Sequence, residues 1–521
     1  MFEGENKREK IIVLLTMCFA LFMAMLDNTV VNVALPSLSK SLGAGVSGLQ
    51  WIVDGYVLAF ASLLLTGGIL GDRYGRKRMF LSGLAIFTLS SLLCGLSGST
   101  SQLIAFRALQ GIGAALLMPG TLAIITVTFP AHERAKAIGI WAGVSGLALA
   151  LGPTVGGYMV EHIGWESIFF LNVPIGTLGF IIGWRAIRES KAAELRRLDL
   201  GGLALGTGGL FSITYGLIEA NQFGWGDARI VGALVLAVAL FIAFVMYERR
   251  TDHAMMPLSF FRIPAFSAGN AVAFSVSLGM FGTFFFASLY MQLVRGYSPF
   301  EAGVRFLPLT GMVIFAAPNA GRLASKYGSR WPMTIGLTLA GTGLLLLSRI
   351  GVDTSFLVII PIFMMMGLGM GSTMTPMTAA VMNAVGPARA GLGSATTNTS
   401  REVGGVFGIA LLGTLLTTKL KSSLTAAVAG MGLAPGVQSR IIETAGHGRF
   451  DPSLLQGLPP VQSGQIVRAF DSSFLDGFHL AVIVAGCVLL AAAYISYRFI
   501  PSGAPQREMH EGATAEAVAA A

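Results

Sequence analysis

Long apolar runs, interrupted by charged residues, glycine or proline, dominate the pattern of hydrophobic and polar positions along the chain. A helix needs about 20 apolar residues to cross the hydrocarbon core of a bilayer, so runs of that length predict transmembrane helices. We predict fourteen such helices, at 11–35, 48–69, 79–98, 102–128, 135–160, 165–187, 200–219, 229–247, 266–293, 301–323, 331–350, 355–382, 393–418 and 475–499. The first run continues past the length of a signal peptide without a small-x-small cleavage site, so we interpret it as a retained helix.

Composition favours a membrane protein over a soluble one. Of the 521 residues, 54% are hydrophobic and only 12% are charged, against about 25% charged residues in typical soluble domains. The chain also contains 34 phenylalanines, which excludes a disordered or collagen-like protein. Cys18, Cys94 and Cys487 all lie in apolar runs, which argues against a disulfide framework. The predicted fold class is therefore an all-α polytopic membrane protein.

The net charge of +9 would suit nucleic-acid binding if the basic residues were clustered on a soluble domain. They are instead concentrated in the N-terminal segment, in alternate loops and in the tail. The short loops of the other side contain only Lys40, Arg229, Arg295 and Arg349. Cytoplasmic loops carry such an excess of basic residues. We therefore expect a multi-pass protein of the cytoplasmic membrane with both termini cytoplasmic and no nucleic-acid partner.

Two ten-residue segments show an internal repeat. Residues 68–77 read GILGDRYGRK and residues 321–330 read GRLASKYGSR, and each joins the second and third predicted helices of a set of six. The chain is thus predicted to contain two related six-helix bundles, which is a common plan of secondary transporters. The predicted parts are an N-terminal bundle at 1–187, two inserted helices with linkers at 188–265, a C-terminal bundle at 266–499 that includes an extracellular loop at 419–474, and a cytoplasmic tail at 500–521.

Three motifs resemble those of the major facilitator superfamily. The loop Gly68–Lys77 is similar to its signature loop, Leu103–Ala115 to its fourth-helix motif, and Gly152–Gly157 to its antiporter motif. The segments 26–36 and 170–176 resemble the fourteen-helix drug:proton antiporters, the QacA/EmrB-like group. The resemblance covers nearly the whole chain and implies the major facilitator fold, with two six-helix bundles plus two inserted helices.

One departure from that subfamily lies before the sixth-helix motif. The subfamily usually has Trp-Arg-Trp there, whereas this chain has Trp165-Glu166-Ser167. The sign of the charge is reversed, which puts any role of that arginine in doubt.

The energy source can be narrowed by elimination. A Gly-rich phosphate loop ending in Lys-Ser or Lys-Thr is missing from the sequence, which argues against ATP hydrolysis by this chain. The six histidines have no metal-ligand spacing. We expect no metal, no cofactor and no enzymatic activity, and an ion gradient remains as the driving force.

Ionisable residues inside the predicted helices are the candidates for proton coupling, because carboxylates in the membrane are costly. Asp27 lies in the outer half of the first run, Asp54 near the start of the second, and Glu402 a third of the way along the thirteenth. Arg107 in the fourth run needs a partner, for which we expect a carboxylate or backbone carbonyls of the first helix. The resemblance implies that acidic residues in helices one and thirteen take part in transport, and that an arginine tunes the protonation of the acid. The alternative is a set of neutral acids that only join helices.

Two further motifs suggest mechanical roles. We expect Gly68, Asp72, Arg73, Gly75 and Arg76 to form a conformational latch, in which Asp72 accepts hydrogen bonds from a helix N-terminus and the arginines bridge to acids of other helices. The alternative is that the loop's basic residues only set topology.

The antiporter motif has two interpretations as well. Its four residues, Gly152, Pro153, Gly156 and Gly157, can let helices approach closely and bend. A packing seam without further function is the alternative.

The substrate surface is predicted from residue type alone. Aromatic and methionine faces adapt to varied apolar ligands and attract cations, although in a membrane helix the same residues commonly face lipid. The candidate substrate-binding residues are Asn28, Asn32, Tyr56, Phe281, Phe285, Tyr290 and Asn398.

Together these features favour a proton-coupled antiporter that exports amphiphilic small molecules, cations among them, by alternating access. Its expected partners are the substrate, protons and membrane lipid, and the sequence leaves a periplasmic adaptor open. A dedicated exporter of a metabolite, lipid or siderophore and a transport-inactive sensor are the alternatives. The 419–474 segment is expected to be an extracellular flap without a core of its own.

Overall fold

A computed structural model describes residues 7–191, 198–251, 254, 258–385, 390–431, 433–446 and 458–502. These residues form α-helices joined by short turns. The helices are α1 Lys7–Leu42, α2 Val46–Tyr74, α3 Arg76–Gly95, α4 Thr100–Thr128, α5 Ala131–His162, α6 Ser167–Phe170, α7 Asn172–Ala186, α8 Leu200–Phe223, α9 Ala228–Glu248, α10 Pro264–Leu289, α11 Pro299–Arg305, α12 Leu307–Tyr327, α13 Arg330–Leu347, α14 Phe356–Val385, α15 Ala390–Ala429, α16 Pro435–Gly446 and α17 Pro460–Phe499. A 3₁₀ turn lies at Leu258–Arg262 and a π-helical turn at Tyr290–Val294.

Twelve helical segments within the described residues are long and apolar enough to cross a membrane. The two other predicted runs, 135–160 and 331–350, coincide with α5 and α13. Two predicted runs are each divided between consecutive helices, 165–187 between α6 and α7 and 301–323 between α11 and α12. The fold class is that of an all-α polytopic membrane protein, as the sequence predicts.

Corresponding helices pack on each other in the same way in the two halves that the sequence repeat predicts. In the N-terminal half α1 packs on α5, α2 and α3 pack on α4, and α3 packs on α7. In the C-terminal half α10 packs on α15, α12 and α13 pack on α14, and α13 packs on α17. The repeated loops also match, because each contains a glycine with positive φ, Gly75 at 118° and Gly328 at 85°. Glycine adopts such angles without the steric cost that a side chain brings.

The inserted helices α8 and α9 pack on each other, and α8 also contacts α2 and α15. One face of α9 exposes large apolar side chains, among them Val235, Val238 and Ile242. An apolar face of this kind suits contact with lipid chains.

The bundle has two ends, which we call near and far. The near end contains the start of α1 and the loop 72–78, and the far end contains the turn between α1 and α2. Five hydrogen bonds between the halves lie towards the far end: Gln50 to the Ile409 carbonyl, Ser288 to the Asn32 carbonyl, Gln292 to the Val33 carbonyl, Thr154 to the Gly303 carbonyl, and the Phe300 amide to Glu161. The halves are therefore joined at the far end in this conformation.

Three predicted helix boundaries were wrong. α1 continues to Leu42, beyond the predicted end at residue 35, and Asp27 lies just past the middle of the helix, in its outer half as predicted. α15 continues to Ala429 and α17 already begins at Pro460, so much of the predicted 419–474 loop is helical. Ile441 of α16 and Ile466 of α17 are buried in the main core. These ends are too polar for an apolar run to reveal, and packing between the helices stabilises them instead. Residues 447–457 and the tail from 503 lie outside the described residues.

Candidate functional site

A buried carboxylate lies at the centre of the N-terminal half. Asp27 Oδ2 accepts a hydrogen bond from Arg107 Nη1 at 2.5 Å, and both side chains are completely buried. Asp27 Oδ1 accepts two more, from Gln110 Nε2 at 3.0 Å and from Asn172 Nδ2 at 2.9 Å. Three donors from α4 and α7 thus converge on one carboxylate of α1. Such an arrangement compensates the loss of water around the charge.

Arg107 is held by more than its counter-ion. Its Nε donates to the Ile52 carbonyl at 3.2 Å, and its Nη1 also contacts Gln110 Oε1 at 2.7 Å. The guanidinium carbon lies 4.2 Å from the ring centre of Tyr56, within the range of a cation–π contact. The expected carboxylate of the first helix is therefore present, while the backbone carbonyl comes from the second helix.

Two other buried acids have very different surroundings. Among the described residues, neither carboxyl oxygen of Asp54 has a hydrogen-bond partner, and Glu402 Oε2 has none either. Asp54 is fully buried and Glu402 is 7% exposed. Glu402 lies on α15, which packs directly against α2, the helix of Asp54.

The asparagines predicted to bind substrate lie on α1 and on α15. Asn28 and Asn32 are buried, and in the described part of the chain neither Oδ1 atom has a hydrogen-bond partner. Asn32 Nδ2 donates to the Asn28 carbonyl at 3.3 Å. Asn398 is exposed. The free amide oxygens of Asn28 and Asn32 are available to accept hydrogen bonds from a ligand.

The aromatic residues predicted to bind substrate on α10 and at the π-helical turn after it pack into the C-terminal half. Tyr290 stacks on Phe478 with ring centres 5.5 Å apart, and Phe285 contacts Phe286 edge-on at 4.7 Å. Phe281 is 8% exposed. In this conformation the three side chains fill the core, and neither a lipid-facing nor a ligand-facing surface is formed by them.

The latch loop differs from its prediction. Asp72 does not accept from a helix N-terminus but pairs with Arg76 of the same loop, with Oδ1 at 2.8 Å from Nη2. Arg73 lies over the ring of Tyr74 at 5.5 Å. A Cβ on Gly68 would make only ordinary contact with Pro119, whereas one on the neighbouring Gly67 would clash with the Ala115 carbonyl. Tight packing of α2 on α4 therefore depends on Gly67.

Glu189 takes the place that was predicted for Asp72. Its carboxylate accepts hydrogen bonds from the backbone amides of Lys77 at 3.1 Å and Arg78 at 3.3 Å, at the first turn of α3. A negative charge at this end of a helix is stabilised by the free N–H groups and the helix dipole. The Arg76 amide also donates to the Ser190 carbonyl. The segment after α7 thus holds the 72–78 loop in place.

The antiporter motif joins α5 to two other helices. Gly152 packs against Thr29 and Gly156 against Val30, both on α1. Gly157 packs against the backbone at Pro299, and the Pro153 carbonyl lies against Gly303 of α11. The motif therefore forms a close contact within the N-terminal half and a second one across the halves at the far end. Any larger side chain at these glycines would separate the helices.

Comparison with known proteins shows the family of the chain. The family model described as Major Facilitator Superfamily matches residues 17–409. The chain belongs to the major facilitator superfamily. The chain is therefore a membrane transporter and not an enzyme.

Several curated relatives have names that refer to drug resistance. The chain is 36% identical to the tetracenomycin C resistance and export protein of Streptomyces glaucescens, a match that covers 93% of this chain and 90% of that protein. It is 32% identical to the multidrug resistance protein Stp of Mycobacterium tuberculosis, with 95% and 93% covered. It is 38% identical to the methylenomycin A resistance protein of Streptomyces coelicolor, with 76% and 83% covered.

Solved structures show the same fold. A bacterial homologue of the human lysosomal transporter Spinster, in an inward-facing and unoccupied conformation, superposes with a TM-score of 0.65 at 18% identity and covers 96% of this chain and 100% of that chain. A D-xylose–proton symporter gives a TM-score of 0.60 at 14% identity, with 96% and 99% covered.

Three hydrogen-bonding partners in these networks of the major facilitator transporter, Gln110, Asn172 and Glu189, were not predicted from the sequence. Gln110 and Asn172 lie in quoted motifs but had no role, and Glu189 was not considered. The signal for the first two is a polar amide at a buried position, because such groups need a hydrogen-bond partner. Their partner Asp27 is 83 and 145 residues away in sequence, which helical periodicity does not encode.

Proposed function

We propose that the chain is a proton-coupled antiporter that exports amphiphilic small molecules, cations among them, by alternating access. The single observation that carries the proposal is a set of three buried carboxyl groups in the two bundles, Asp27, Asp54 and Glu402. Asp27 pairs with Arg107, whereas both carboxyl oxygens of Asp54 and Oε2 of Glu402 have no hydrogen-bond partner among the described residues. Buried acids inside a membrane protein are characteristic of proton relays. The names of the relatives support export of antibiotics and drugs as the transported chemistry.

The three acids have different roles in this proposal. Asp27 is paired with Arg107 and held by two amides. An unpaired buried charge is much more costly than an unpaired neutral acid, so Asp54 and Glu402 hold protons in this conformation. Release of those protons requires water or a cationic substrate to reach the carboxyl groups, and this couples proton movement to the change of access. Asn28 and Asn32 then offer hydrogen-bond acceptors to the substrate.

The conformation corresponds to one end of the transport cycle. The distribution of basic residues supports a cytoplasmic near end with both chain termini. Because the halves are joined at the far end, the transporter is then open towards the cytoplasm. Asp72 and Arg76 pair within their own loop in this state, which is the released form of the latch. The latch closes across the halves when the near end closes.

A narrower exporter is the second candidate. Two of the relatives are named for a single antibiotic, tetracenomycin C or methylenomycin A, which favours dedicated export by the same mechanism. The two candidates differ only in substrate range.

The test is a transport assay with purified protein in liposomes. An imposed pH gradient should drive accumulation of ethidium, a fluorescent organic cation, or of another member of a panel of dyes and antibiotics, together with proton movement in the opposite direction. Glu402→Gln should abolish the coupled fluxes, whereas Asp227→Asn, the same chemical change at the cap of α9, should preserve them. Substrate flux without coupled proton movement would refute antiport. Several unrelated substrates indicate multidrug export, and one indicates the narrower exporter.

A further inference from the structure

We propose that the inserted helices α8 and α9 form a strap, fixed to the N-terminal half, that holds the far end of the seam between α2 and α15 closed. The inference rests on the proposed alternating access. Among the inserted helices α8 contacts both sides of this seam, since it packs on α2 and on α15. Opening of the far end must separate α2 from α15, so α8 has to release one of them.

The attachment to α2 is extensive. Glu219 Oε1 on α8 accepts hydrogen bonds from Trp51 Nε1 at 2.8 Å and from Ser47 Oγ at 3.1 Å. The indole ring of Trp51 also contacts Phe211 and Tyr215, with ring centres 5.7 and 6.5 Å apart. Two hydrogen bonds to a carboxylate, reinforced by aromatic packing, make a contact that is costly to break.

α8 also packs on α15, and the described residues show one hydrogen bond between these two helices, which has a ready substitute. Thr414 Oγ1 donates to the Leu217 carbonyl at 2.6 Å, and it lies 2.9 Å from the Ala410 carbonyl of its own helix. When α15 moves away, the hydroxyl group can donate to Ala410 and stay satisfied. This contact is therefore the one that breaks, and the strap moves with α2.

Beneath the strap α2 packs on α15, and a hydrogen bond joins the two helices there. Gln50, next to Trp51, donates from Nε2 to the Ile409 carbonyl at 2.7 Å. Gly413 packs against the amide of Gln50, so that a Cβ at this position would clash with it. Thr414 and Gln50 thus act at adjacent points of the same seam, and loss of the Thr414 contact should favour its opening.

Distances between spin labels test this movement. Ser41 of the N-terminal half, Gln222 of the strap and Ser422 of the C-terminal half are exposed, and labels can be attached to cysteines there in a Cys487→Ser background. We expect the Ser41–Gln222 distance to stay constant across pH and substrate conditions, while the Gln222–Ser422 distance shows a short and a long population. A constant Gln222–Ser422 distance with a changing Ser41–Gln222 distance would overturn the proposal.

Substitution of Thr414 tests the energetic role. Thr414→Val removes the donor and should raise the ratio of long to short Gln222–Ser422 populations about twofold, less than the effect of a full hydrogen bond because the wild-type hydroxyl still donates to Ala410 when the seam is open. Thr414→Ser keeps the hydroxyl and should restore the wild-type ratio. Thr417→Val is the matched control, because Thr417 donates only to carbonyls of its own helix. Equal populations in the Val variants at 414 and 417 would overturn the strap.

The two proposals fail in different ways. Protein that couples drug and proton flux in liposomes but shows no change in any of the three label distances refutes the strap and leaves antiport intact. Protein with the expected distance changes but no proton-coupled flux refutes antiport and leaves the moving strap in place.

Discussion

Asp27 in the N-terminal half and Glu402 in the C-terminal half are both buried, yet their surroundings are opposite. Three donors, one of them the Arg107 cation, surround Asp27, whereas Glu402 Oε2 has no hydrogen-bond partner among the described residues. A fully paired carboxylate is a fixed charge that stabilises its bundle. An unpaired acid is a group whose charge can change only when its surroundings change. We therefore propose that Asp27 supplies a fixed charge in the N-terminal half and that proton exchange takes place at Glu402 in the C-terminal half.

The largest effect is expected from Arg107→Met. This change leaves the Asp27 carboxylate buried without its counter-ion, and breaking a buried ion pair from one side costs about 3–5 kcal/mol. Thermal unfolding in detergent should show a strong loss of stability or no folded protein. Arg229→Met, at an exposed arginine, should unfold like the wild type. Normal stability of Arg107→Met would mean that Asp27 is already neutral, and the comparison between the halves would collapse.

The next effect separates coupling from binding. Glu402→Gln should abolish uphill efflux, while downhill exchange of substrate survives in part because it requires only binding and conformational cycling. Asp27→Asn should lower uphill efflux and downhill exchange together, because it removes a fixed charge and not a site of proton exchange. Asp27→Asn should also lower thermal stability, whereas Glu402→Gln should not, since no hydrogen bond to Glu402 Oε2 is lost. The measurement is uphill efflux against counterflow at matched expression. Full efflux in either variant would remove that acid from the mechanism.

Asp54→Asn should give a milder transport defect than Glu402→Gln. Asp54 is as deeply buried as Asp27 but has no hydrogen-bond partner in the part of the chain that the structure describes, so the amide should leave stability unchanged and reduce efflux only partly. A complete loss of uphill efflux would place Asp54 on the proton path as an equal of Glu402.

The smallest effect concerns the loop of the latch. Glu189→Gln removes the charge at the first turn of α3 and should cost up to about 1 kcal/mol of stability, seen as a small fall in unfolding temperature. Glu9→Gln, at an exposed residue, is the control. A fall in efflux with no change in stability would instead give Glu189 a part in the latch.

The sequence predicted the fold well because the cost of burying charge and backbone in lipid restricts a chain of this composition to transmembrane helices. The same cost pointed to Asp27 and Arg107, since an arginine at that depth needs an acid. It did not identify Asn172 or Glu189, because their partners come from distant helices and depend on tertiary packing. The helix ends at Leu42 and Ala429 were missed because polar turns beyond the membrane have no apolar pattern.

The central claim is that Glu402 exchanges a proton while Asp27 stays fixed. The most direct test is infrared difference spectroscopy of the purified transporter, comparing the substrate-free and ethidium-bound states. We expect ethidium binding to remove a protonated carboxyl band from the wild-type spectrum. The same change should be missing from the difference spectrum of Glu402→Gln and present in that of Asp227→Asn. A band lost in a variant of Asp27 but kept in Glu402→Gln would contradict the central claim.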